Sequence, residues 1–175
     1  KQCLVGSEMC IRDRNVELDF RIGNDLSSLR PLISVIQSHL RQMQVCDDSD
    51  ILRISTALQE ALVNAIEHGN LDLSSALRED GGEAYTELGK QRRQEEPYAS
   101  RTVEVVAKID RSRITVAVRD EGAGFDPDGL PDPTDPANLQ KVHGRGLMLI
   151  RTFMDEVSFN ETANEITMVK RASVE

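Results

Sequence analysis

The sequence predicts an α+β fold, and three observations carry that prediction. Residues 15–22 (NVELDFRI) alternate polar and apolar side chains, the period of a half-buried strand. Two successive segments, 26–45 and 51–70, instead place apolar residues at helical spacing. The second half supplies β-branched, alternating runs at 102–110, 114–120, 156–160 and 165–171, paired across short polar turns, with a helical stretch at 147–154 between the pairs. Hairpins separated by helices define an α+β rather than a βαβ pattern. A chain of 175 residues suits one domain with a full core and is short for two.

In the first strand the inward set is Val16, Leu18, Phe20 and Ile22. Asn24-Asp25 offers an N-cap to a helix whose apolar side is Leu29, Leu32, Ile33, Ile36, Leu40 and Met43. Pro31 moves the true start to about Leu29 or Arg30, because proline is tolerated in a first turn but not in a helix interior. Asp47, Asp48 and Ser49 cap the next helix, which stops at Gly69-Asn70. Its core-facing arc is Ile51, Ile54, Leu58, Ala61, Leu62, Ala65 and Ile66. Thr56, Glu60, Asn64, Glu67 and His68 share the opposite arc, which stacks a carboxylate, a carboxamide and an imidazole on one side. That face is either simply solvated or lines a pocket for a metal and a phosphate.

Residues 71–100 are polar, with Gly81-Gly82 in the middle and short helices expected at 73–78 and 83–94. They read as a solvated excursion rather than a docking surface, closed by Pro97. Arg111-Ser112-Arg113 turns the first hairpin, and Thr162–Asn164 turns the second. Between them lies a loop at 125–143, with four prolines after Phe125 and a short helical turn expected from Asp135-Pro136 to Gln140. Gly144-Arg145-Gly146 then opens the helix at 147–154.

Composition excludes several classes. A net charge of −9 leaves no basic stripe for nucleic acid. No apolar run is long enough to span a bilayer, and the cytoplasm is the expected location. Cys3, Cys10 and Cys46 are odd in number and lack zinc-ligand spacing, so neither a disulfide framework nor a metal knuckle is expected. Residues 1–14 show no helical or strand period and lack a signal-peptide core. They resemble translated adapter read-through, with a tail left by an upstream domain as the alternative. A first residue of Lys1 reads as a fragment or a misplaced start. His39 reads as a helix-surface residue, His68 as a side chain packed or hydrogen-bonded at a helix end, and His143 as a loop residue. The Asp-Pro pairs at 126, 132 and 135 read as turn chemistry.

Three boxes fall in order along this scaffold: Glu60-x-x-x-Asn64 on a helix, Asp120-x-Gly122-x-Gly124 at a strand end, and Gly144-x-Gly146-Leu147 opening a helix. Together they resemble the N, G1 and G2 boxes of the GHKL superfamily, the ATP-binding fold shared by gyrase, histidine kinases and MutL. The stretches EALVNAIEHGN (60–70), VRDEGAGFD (118–126) and GRGLMLIRTFMD (144–155) are most similar to the RsbW- and SpoIIAB-type anti-sigma-factor serine kinases. The likeness runs from about Asn15 to the end of the chain. It implies a two-layer sandwich, with helices on one face of a mixed, mostly antiparallel sheet, and a lid at 125–143.

The resemblance further implies Mg·ATP as cofactor and transfer of its γ-phosphoryl group to a serine on a STAS-domain antagonist. Glu60 is then the general base and Asn64 the magnesium ligand. Asp120 accepts from the adenine amine. Gly122 and Gly124 allow positive φ and close approach to the base. Gly144, Arg145, Gly146 and Leu147 meet the phosphates at a helix N-terminus, and Thr167 of the last strand completes the cofactor set. A sigma factor as second partner and a homodimer are also implied. No P-loop sequence occurs in the chain. The chain departs from the family pattern in the length of 71–100 and in Ala163-Asn164, where relatives carry Gly-Thr. Two other readings fit the same boxes: a nucleotide-gated binding module without phosphotransfer, and the catalytic domain of a larger sensor kinase.

Overall fold

The computed structural model describes residues 15–74, 77, 82–125 and 145–172. Strands β1 (Val16–Ile22), β2 (Val103–Ile109), β3 (Arg113–Arg119), β4 (Glu156–Phe159) and β5 (Glu165–Arg171) form one sheet in the order β1-β2-β3-β5-β4. Every neighbouring pair is antiparallel, so among the described strands the expected mixed sheet is wholly antiparallel. No adjacent pair needs the long parallel crossover that a mixed sheet would contain.

Register sorts the two faces. Phe20 lies opposite Val105, Val105 opposite Val118, and Val118 opposite Ile166, which gives one continuous apolar face. The other face carries pairs such as Glu17 opposite Lys108, whose charged groups lie 3.3 Å apart. Helices α1 (Leu29–Met43), α2 (Asp48–Asn64) and α4 (Arg145–Phe153) supply the residues packed on the apolar face. All seven residues of the expected α2 core arc are at most 5% exposed. Each fully buried Leu or Ile contributes roughly 1.5–3 kcal/mol, so this helix is fixed by its packing.

The helix starts follow the local chemistry. Asp47 caps α2 by accepting the Asp50 amide at 2.7 Å. Asp25 caps a short 3-10 turn, Leu26–Ser28, and α1 begins only at Leu29, with Pro31 in its first turn. The start of α2 is also tied to the sheet. Buried Asp50 lies 3.0 Å from Arg53 and 3.8 Å from Lys170 of β5, and Lys170 lies 3.0 Å from Asp155.

Two further expectations are corrected. The second long helix does not run as an α-helix to Asn70: after Asn64 it widens into a π-helical segment, Ala65–Asn70. Ala65 and Ile66 keep their core positions, but Glu67 in the widened turn leaves the solvent arc and is buried. The 71–100 segment is not simply solvated. Helix α3 (Glu83–Arg92) buries Tyr85 and Gly89, and the Tyr85 hydroxyl donates to Glu67 at 2.8 Å. Arg92, Arg93 and Arg101 donate to the carbonyls of Leu71, Asn24 and Asn70.

Residues 1–14, most of the helix expected at 73–78, the loop after Phe125 with its Asp135–Gln140 turn, His143 and Gly144 all lie outside the described residues. Among the described residues no helix is long and apolar enough to cross a membrane.

Candidate functional site

The site is assembled where the far end of α2, the C-terminal end of β3 and the start of α4 meet. At the β3 end, strand alternation turns Asp120 toward the helix layer, because Val118 two residues earlier faces the core. Its carboxylate accepts the Gly122 amide at 2.8 Å. Burial pushes the carboxyl up to about 6, against the pull of the Gly122 amide and the Arg101 guanidinium. Gly69 of the π-helical segment packs on this carboxylate so closely that a Cβ there would lie 2.3 Å from Cγ.

The two glycines after Asp120 are required by the protein's own backbone. A Cβ on Gly122 would lie 2.5 Å from the Gly69 carbonyl oxygen. Gly124 has φ +74 and its Cβ would lie 1.7 Å from the Thr162 carbonyl oxygen, so no side chain fits. Positive φ is therefore found at Gly124 but not at Gly122, and what approaches each residue is a carbonyl of this chain. Phe125 follows with its ring edge-on to Phe159, centroids 5.3 Å apart.

At the α4 end, Glu60 and Asn64 stand one turn apart on α2, both partly exposed. Gly146, in the first turn of α4, packs against them. A Cβ on Gly146 would lie 2.7 Å from Glu60 Oε2 and 3.5 Å from Asn64 Nδ2. The structure thus brings Glu60, Asn64 and Gly146 together, with Arg145 as the first residue of the helix. Leu147 is half-buried and packs toward the core. His68 does not join this group; its Nδ1 lies 2.6 Å from the Leu73 carbonyl oxygen, the helix-end role expected for it.

Thr167 is not brought to the site. It pairs with Ala117 and Ser158, whereas its neighbour Met168 is buried in the core, so Thr167 points away from the helices. Asn164 stands at Asp120 instead: it accepts the Asp120 amide through its backbone carbonyl at 2.9 Å and donates through Nδ2 to the Asp120 carbonyl at 3.1 Å. Ala163 takes φ 52, in the left-handed region. Ala163-Asn164 thus forms a left-handed turn whose polar contact to Asp120 is made by the asparagine.

Sequence reasoning missed three further residues. Gly69 supplies the surface on which Asp120 packs. Asn70, fully buried, accepts the Glu121 amide at 2.9 Å and donates to Asn24 at 2.8 Å. Arg101 reaches the Asn70 carbonyl at 2.8 Å. The signal for the first two was the HGN sequence at 68–70, which read as a helix stop.

The donor set fits a nucleotide with a hard cation. A half-buried carboxylate stands at one end, and a carboxylate and a carboxamide beside a helix start stand at the other. Among the described residues no group of three or more His, Cys, Asp or Glu could hold a metal alone.

Residues 22–170 match the histidine kinase-like ATPase domain family. This chain belongs to that family. The match runs from the last residue of β1 almost to the end of β5, so the histidine kinase-like ATPase domain contains Glu60, Asn64, Asp120 and Gly146 and also the 71–100 segment. Among solved structures, the domain is similar to the RsbU and RsbW domains of Rv1364c from Mycobacterium tuberculosis, at 16% identity and a TM-score of 0.51. That alignment covers 90% of this chain and 32% of the other, and it bears on the fold. No curated protein matches the chain.

Proposed function

We propose that this domain binds Mg·ATP and transfers the γ-phosphoryl group to a serine on a STAS-domain antagonist, as a partner switch of the anti-sigma type. The observation that carries the reading is the convergence of Glu60 and Asn64 on Gly146 at the start of α4. A carboxylate and a carboxamide beside a helix N-terminus, where the dipole favours phosphate, support a base and a cation ligand at that end.

Asp120 binds the base end by accepting from the adenine amine, a bond strengthened by its charge and partial burial. The α4 amides and Arg145 hold phosphate oxygens. Asn64 would hold the magnesium ion through its carbonyl oxygen, the remaining positions falling to phosphate and water, and the bound ion would neutralise charge on the β- and γ-phosphates. Glu60 orients the serine hydroxyl and takes its proton as the serine oxygen bonds to the γ-phosphorus and the bond to the departing ADP oxygen breaks. A sigma factor would be the second partner of such a switch.

A nucleotide-gated binding module is the second reading, favoured by the bond from Tyr85 of α3 to Glu67 just beyond Asn64. The test is to mix the purified chain with Mg·ATP and each STAS-domain protein of the same organism, and to look for a phosphate adduct by intact mass. An adduct that vanishes with Glu60→Gln supports the kinase. ATP binding without any adduct favours the gated module.

A further inference from the structure

Arg101 lies where the 71–100 segment rejoins the sheet, and its contacts lead into the site from a direction that the three boxes do not cover. Its guanidinium sits over the Tyr98 ring at 5.0 Å, with Arg92 over the same ring at 4.7 Å. Its Nη1 donates to the Asn70 carbonyl at 2.8 Å. Asn70 in turn accepts the amide of Glu121, the residue next to Asp120. The Glu121 carboxylate reaches back to the Thr102 amide at 3.2 Å, adjacent to Arg101. The ring of contacts 101–70–121–102 therefore closes on the strand end that presents Asp120.

Its anchor is equally defined. The Tyr98 carbonyl accepts from Asn24 at 2.8 Å, and the Asn24 carbonyl accepts from Arg93 at 3.0 Å. A planar guanidinium can stack on a ring and donate in its own plane at the same time, which an ammonium cannot.

We propose that Arg101 is a positioning residue for the nucleotide site, held by Tyr98 and Asn70 so that the 71–100 segment fixes the strand end and the charge beside Asp120. The inference rests on the nucleotide-binding reading above. It gives the long segment a function inside the domain: it braces the base end of the pocket from outside. Among the described residues, the other charged groups that line the cavity beside Asp120 are Glu104, Arg119 and Glu121, with Thr102 and Asn164. Of the π-helical segment, Gly69 is what touches the carboxylate, and it brings no charge.

The experiment follows Asp120 in two ways in the full chain. The first is the pH titration of its side-chain carboxyl carbon by NMR without nucleotide, and the second is ATP affinity from pH 5.5 to 8. In Arg101→Ala the Asp120 midpoint should rise by about 0.5 pH unit, and ATP affinity at pH 7.5 should fall about 5- to 10-fold. Arg101→Lys should restore the midpoint, because it restores the charge, but only part of the affinity, because it cannot stack and donate together. Tyr98→Leu, which leaves the cation and removes its platform, should weaken ATP binding in the same direction and serves if Arg101→Ala fails to fold. An unchanged Asp120 midpoint in Arg101→Ala, or unchanged ATP affinity in both Arg101→Ala and Tyr98→Leu, would overturn the proposal. If the wild-type chain binds no ATP, the nucleotide reading fails, while the NMR midpoint still decides whether Arg101 sets the charge at Asp120.

Discussion

At the Asp120 end of the site, the polar groups are held by other parts of the chain. The amides of residues 120, 121 and 122 are accepted by Asn164, Asn70 and Asp120 itself, and the carbonyls of Gly69 and Thr162 leave no room for a side chain at Gly122 and Gly124. At the Glu60 end, two partly exposed side chains stand on a regular helix and meet the first turn of α4. The Asp120 end is a preorganised socket in which the geometry of that side chain is dictated by its neighbours. Under the proposed function it would hold the base, and the Glu60 end would present groups whose stability cost is small and whose worth is chemical. Binding and stability should therefore be coupled at the first end and separable at the second.

Several substitutions test that contrast. The largest effect is expected on transfer: Glu60→Gln should lower phosphotransfer by roughly 10²–10⁴-fold, with unfolding free energy changed by less than about 0.5 kcal/mol because the site is partly exposed. Single-turnover transfer and urea denaturation measure the two sides. Gly124→Ala should cost about 2–4 kcal/mol, since it forces an L-residue to positive φ against the Thr162 carbonyl. A thermal melt of the nucleotide-free chain checks this, and an unperturbed melt would mean that the socket is not rigid.

Asp120→Asn should weaken ATP about 10- to 100-fold, from the loss of one charge-assisted hydrogen bond. It should also make the nucleotide-free chain slightly more stable at neutral pH, by less than about 1 kcal/mol, because a carboxylate still partly open to water is partly screened. The pH dependence has a definite sign. Burial raises the Asp120 carboxyl from 3.8 to about 6, so between those values the folded state holds more protons than the unfolded chain. The contribution of this group to stability thus falls as pH rises through that window and stays lower above it. ATP affinity should move the opposite way and weaken below about pH 6 as the acceptor is protonated. Isothermal titration at pH 5.5 and 7.5 distinguishes these. The smallest effect is expected for Tyr85→Phe, which removes the bond to Glu67 and should cost about 1 kcal/mol, read by urea denaturation.

Much of this architecture was legible in the residues, and the exceptions have physical reasons. The apolar arcs of α1 and α2 and the alternation of β1, β2 and β3 identified the core, because periodicity reports directly on burial. The boxes around Glu60, Asp120 and Gly146 nominated the candidate site, because glycine and acid spacing survives in one dimension, and the fold brings Glu60 and Asn64 against Gly146. The π-helical turn did not show, since six residues, AIEHGN, are too few to separate a π period from an α period. Tyr85, Tyr98 and the three arginines were hidden in a polar stretch whose composition resembles a solvated loop, although a few long side chains suffice to dock it. Thr167 was misplaced by one feature only: which face of β5 it occupies depends on the strand register, and that register puts Met168 inward. Asn164 could hydrogen-bond on its composition, and its partner became identifiable only when the β4–β5 turn was seen against Asp120.

The most direct test of the account is a paired measurement on Glu60→Gln, with Mg·ATP affinity and phosphate transfer to the proposed STAS-domain partner determined on the same preparation. The separation of the two ends requires wild-type affinity, within about twofold, together with loss of the phosphate adduct. Transfer that persists, or affinity that falls along with transfer, would contradict the assignment of Glu60 to chemistry and of the Asp120 end to binding.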